Sequence, residues 1–79
     1  MRIGKREIGR SMYTQSVTRL RKLSSPEILD WADQAGSWTA RQMGEYRRHG
    51  APEALKEATD GLQVLTAALD VLREREEAK

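Results

Sequence analysis

The chain of 79 residues carries 14 Lys+Arg against 12 Asp+Glu, a formal net charge of +2, with one His, no Cys and no Phe. That is room for one small domain at most, whose single core supplies roughly 3–5 kcal/mol and cannot be reinforced by disulfides or a four-Cys zinc site. A deep, dry catalytic pocket is not expected, and partner binding or self-association is the natural way to gain stability. No apolar run approaches the ~20 residues that span a bilayer. The charged start, Met1 to Ile8, is followed by no apolar signal core, so the expected compartment is the cytoplasm.

Residues 1–25 form a basic N-terminal segment: Arg2, Lys5, Arg6, Arg10, Arg19, Arg21 and Lys22 stand against the single acid Glu7. Beyond residue 50 the balance reverses, with Glu53, Glu57, Asp60, Asp70, Glu74, Glu76 and Glu77 outnumbering the bases. A basic arm on an acidic body attracts anions, and a guanidinium fork holds phosphate or carboxylate through two parallel hydrogen bonds. Those seven bases are therefore the expected contacts to an anionic partner, either nucleic acid or an acidic protein surface. The alternative is a solvated tail that serves solubility. Residues 1–10 read as an irregular arm. Within 12–23, Tyr13, Val17 and Leu20 follow a four-then-three spacing that predicts a short basic amphipathic helix. Its apolar face is narrow for a membrane surface.

The hairpin domain is expected over 26–79. Ser25-Pro26-Glu27 reads as a helix start, with Ser25 as the cap. Ile28, Trp31, Ala32, Ala35, Trp38, Thr39, Met43 and Tyr46 recur at threes and fours and predict an amphipathic helix over about 26–49. Gly50 is placed to end it, with Arg47, Arg48 and His49 opposing the negative end of its dipole. Pro52 opens a second helix, to about 78, in which Leu55, Ala58, Leu62, Leu65, Leu69 and Leu72 make a coiled-coil seam widened by Val64, Ala68 and Val71. So short a turn predicts an antiparallel hairpin of two helices, an all-α fold with arms of roughly 35–40 Å at ~1.5 Å per residue. Ala32, Gly36, Ala40 and Gly44 on the first helix and Ala54, Gly61 and Ala68 on the second suit close approach. Gly36 and Gly44 read equally as weak points, each costing about 1 kcal/mol relative to Ala.

Catalytic groups are scarce. With no Cys and one His, thiol chemistry and multi-His metal sites fall away, and the Glu45/His49 pair lacks a third ligand. Gly4-Lys5 lacks the pattern of a phosphate-binding loop. No catalytic residue, metal, cofactor or small-molecule substrate is expected. Trp31, Trp38, Leu62, Leu65, Leu69 and Leu72 are the predicted core or protein interface, with core packing expected for the two tryptophans. The resulting expectation is a non-enzymatic interaction protein, self-associating or docked into a larger assembly, whose arm meets an anionic partner. A second reading breaks the first long helix at Gly36-Ser37 into a helix-turn-helix, with Thr39, Arg41 and Gln42 set to contact bases. A third is a small inhibitor or a structural subunit of a virus particle.

Overall fold

Three helices follow one another in the computed structural model, which describes residues 11–79: α1 Met12–Leu20, α2 Ser25–His49 and α3 Pro52–Glu77. The fold is all-helical among the described residues, a hairpin of α2 and α3 with a short first helix laid against α3. The predicted 12–23 helix is present, shortened at its end, where Lys22 and Leu23 donate back to the carbonyls of Arg19 and Leu20 and close a turn. Arg2, Lys5, Arg6 and Arg10 lie outside the described residues.

Local chemistry sets each boundary. Ser11 caps α1, its hydroxyl accepting from the Thr14 amide at 3.1 Å. The cap of α2 is Ser24, one residue before the expected Ser25. Its hydroxyl accepts from the Glu27 amide at 3.3 Å, while the Glu27 carboxylate accepts from the Ser24 amide at 2.9 Å. Only Ser24 has a Glu three positions on, so only it can close this reciprocal pair. The amide bond from Ser24 also holds the Glu27 carboxyl below its ordinary pKa. Gly50 ends α2 in the left-handed conformation at φ 65°, a position glycine takes without a Cβ clash, and Pro52 begins α3 at its first turn.

Helix α2 runs unbroken for 25 residues through Gly36 and Ser37. This corrects the helix-turn-helix reading: Ser37 caps nothing, and Thr39, Arg41 and Gln42 sit in mid-helix. Packing explains the continuity. Ala32 and Ala35 before the proposed break and Thr39 after it lie on the same face, which rests on α3, so a bend would separate contacts made on both sides.

The core is small-residued. Leu20, Ile28, Ala32, Ala67, Ala68 and Val71 form its cluster, edged by Val17, Leu23, Leu65 and Leu72. This cluster sits where α1, the start of α2 and the end of α3 meet. Toward Gly50 it thins to Ala35, Ala54, Ala58 and Gly61. The predicted small-residue column on α3 is therefore buried as expected. On α2 the contact line runs through Ala32, Ala35 and Thr39, and Ala40 is exposed.

That close approach rotates α3 away from the predicted leucine seam. Ala58 is buried and Leu65 and Leu72 edge the core, but Leu55, Leu62 and Leu69 are 46%, 53% and 51% exposed. The expected burial of Trp31 and Trp38 is corrected as well, since both are more than a third exposed. Alanine and glycine at the contact leave the bulky neighbours on its flanks.

Candidate interaction surfaces

Helix α1 is held to α3 by polar contacts that periodicity could not have indicated. The Tyr13 hydroxyl donates to Asp70 at 2.7 Å, and its amide donates to Gln63 Oε1 at 3.1 Å. Arg21 reaches the Glu74 carboxylate at 3.0 and 3.2 Å. Arg75 donates to Ser25 Oγ and to the carbonyls of Leu23 and Arg21, fastening the turn between α1 and α2. Partners 50 to 57 positions apart share no sequence pattern.

The docking divides the predicted basic contacts. Arg21 points to the acidic flank of α3. Arg19 and Lys22 are exposed and, with Gln15 and Thr18, line a shallow polar depression of about 300 Å³. Among the described members of the predicted set, Arg19 on α1 and Lys22 in the turn after it are exposed where an anion can reach them without breaking an ion pair of the fold.

Two apolar surfaces flank the hairpin. On the α1 side, Met12, Trp31, Trp38 and Val64 line an open groove of about 400 Å³ whose rim carries Gln34, Glu57 and Asp60. Trp31 and Trp38, seven residues apart on α2, are 40% and 38% exposed there. On the other side, Leu29, Gly36 and Met43 follow one another at seven-residue spacing on α2, as Leu55, Leu62 and Leu69 do on α3. Met43 and Leu55 line one depression with Ala40, Gly44, Tyr46 and Arg47, so the two rows lie on the same side of the hairpin. Leu29 and Met43 are 52% and 58% exposed. The spacing of threes and fours puts Met43 on the predicted apolar stripe and does not include Leu29. The signal for Leu29 was its seven-residue relation to Gly36 and Met43.

Several carboxylates are engaged in pairing. Glu45 accepts from Arg48 at 2.5 Å and lies 3.8 Å from His49 Nε2, and the bond from Arg48 draws its pKa below the usual carboxylate value. Lys56 pairs with Asp60, and Arg73 with Asp70. Among the described residues no group of three or more His, Asp and Glu is arranged to hold a metal ion, and no helix is long and apolar enough to cross a membrane. Comparison with protein-family models, with curated proteins and with solved structures finds no match for this chain.

Proposed function

We propose that this is a small non-enzymatic helical interaction protein, whose hairpin associates with itself or docks into a larger assembly, and whose basic N-terminal segment engages an anionic partner. One observation carries the reading. Large side chains lie outside and small ones inside: the largest fully buried side chains are Leu20, Ile28 and Val71, whereas Leu29, Trp31, Trp38, Met43, Leu55, Leu62 and Leu69 are each more than a third exposed. Exposed apolar surface gathered into patches on a soluble monomer marks a contact site, because its burial against a partner is favourable.

Arg19 on α1 and Lys22 in the turn after it supply the electrostatic half, continuous in sequence with Arg2, Lys5, Arg6 and Arg10. Nucleic acid and an acidic protein surface present the same negative charge to them. The test is binding of the full chain to labelled duplex DNA, to RNA and to polyglutamate over a range of salt, with light scattering on the same sample. Expected are a mass above that of one chain and an affinity that falls with salt and falls further when Arg6, Arg10, Arg19 and Lys22 are replaced by Ala. A monomer that binds none of the three at low salt overturns the reading.

A further inference from the structure

We infer that the Leu55–Leu62–Leu69 row is a self-complementary surface that pairs antiparallel with the same row of a second copy, about a two-fold axis at Leu62. This rests on the self-association half of the proposed function and gives it a face and a geometry.

Spacing is the first argument. Leu55 and Leu69 stand equally far from Leu62, so turning one α3 end over end sets Leu55 of each chain on Leu69 of the other and Leu62 on Leu62. A two-fold interface demands this reciprocity. The side chains that flank the row between its ends, Thr59 and Thr66, are uncharged and exposed. No charge is buried against its own copy, which is the usual obstacle to pairing a helix with itself.

Charge at the ends supplies the direction. Arg47, in the last turn of α2, lines the same apolar depression as Leu55. Its guanidinium has no carboxylate partner among the described residues, where Glu45 is taken by Arg48 and His49. Beyond the opposite end of the row stands Arg73, already paired with Asp70 at 2.7 Å, and the next seven-residue step from Leu69 is Glu76, followed by Glu77. Glu76 is held only by Lys79 in an exposed pair. Antiparallel pairing brings the Arg47 end of each chain to the Glu76 end of the other, twice per dimer. Parallel pairing sets Arg47 on Arg47 and Glu76 on Glu76. Unlike ends together and like ends apart favour the antiparallel arrangement. Met43 and Leu29 on α2 extend the apolar face alongside the row.

The chain has no cysteine, so single cysteines report the geometry without interference. Leu62→Cys alone is expected to form a disulfide-linked dimer under mild oxidation. A mixture of Leu55→Cys and Leu69→Cys chains is expected to cross-link to each other, and Leu55→Cys alone is not. Two copies of position 55 lie ~21 Å apart along an antiparallel pair at ~1.5 Å per residue, and a disulfide spans at most about 7 Å between Cα atoms. Leu62→Asp is expected to halve the mass seen by light scattering at unchanged helical content. A dimer that persists in Leu62→Asp and gives no 62–62 or 55–69 cross-link overturns this face and leaves self-association standing. Self-linking of Leu55→Cys overturns the antiparallel direction. A wild-type chain that stays monomeric to millimolar concentration overturns the pairing and the self-association half together, while salt-dependent anion binding continues to test the other half.

Discussion

The Arg75 guanidinium donates a 2.7 Å hydrogen bond to the Leu23 carbonyl, joining the last turns of α3 to the bend that separates α1 from α2. The same side chain reaches Ser25 Oγ at 2.9 Å and the Arg21 carbonyl at 3.3 Å. A planar fork offers several donors at fixed angles, which an ammonium cannot reproduce. Carbonyls just past the end of a helix have no helical partner, and each needs a donor or water.

Replacing Arg75 by Leu is therefore expected to cost about 1–3 kcal/mol, the range for bonds from a charged donor to half-buried acceptors. Arg75→Lys should recover only part of this. Urea unfolding followed by circular dichroism measures both. Equal stability of the Lys variant and the wild type would show that charge alone suffices at this position.

Tyr13 makes α1 docking sensitive to alkali. Its hydroxyl donates to Asp70, and this bond raises the phenol above its ordinary pKa, helped by desolvation and by the charges of Asp70 and Glu74 and opposed by Arg21. The folded state thus favours the protonated phenol. Its contribution is complete below the unfolded value of about 10 and is lost as pH rises through the higher folded value. The melting temperature of the wild type is expected to fall more steeply above pH ~10 than that of Tyr13→Phe. Parallel curves for the two proteins would detach Tyr13 from the alkaline transition.

Gly61 is buried against α2, facing Ala35, Trp38 and Thr39. A Cβ there would collide with Thr39 Oγ1 and stand 3.0 Å from Trp38 Cδ1 and 3.3 Å from the Ala35 carbonyl oxygen. The Thr39 hydroxyl is itself held by that carbonyl at 2.8 Å and has little freedom to withdraw. Gly61→Val is expected to destabilise by about 1–3 kcal/mol through overpacking, more than the gain of under about 1 kcal/mol from replacing a helical glycine. Thermal unfolding of this variant beside Gly61→Val/Thr39→Ala checks the cause, since removing the Thr39 hydroxyl should restore part of the loss.

Helix starts and stops were legible because they are local. Gly50 and Pro52 mark their boundaries by backbone chemistry alone, and Ser24 with Glu27 does so once the three-residue relation is noticed. The face of each helix was legible only to within a turn. Leucine spacing predicts a seam, yet the actual contact follows Ala54, Ala58, Gly61 and Ala68, because close approach of two backbones outweighs the bulk of Leu62 and Leu69. Trp31 and Trp38 went the same way: on the flank of an alanine contact they are covered only in part, by neighbours such as Met12 and Val64. The polar clamp on α1 was not legible at all, because Tyr13 meets Asp70 and Arg21 meets Glu74 only through the turn at Gly50.

Every polar partner of α1 just described lies in α3, at Gln63, Asp70 and Glu74. During synthesis the first helix is made fifty or more residues ahead of its anchors. Until Asp70 and Glu74 have left the ribosome, the carboxylates that receive the Tyr13 hydroxyl and Arg21 are missing, so the clamp on α1 cannot close while the hairpin is still growing. Loss of the last turns of α3, by truncation or by proteolysis, would return the first helix to that undocked condition and free Arg21 along with Arg19 and Lys22.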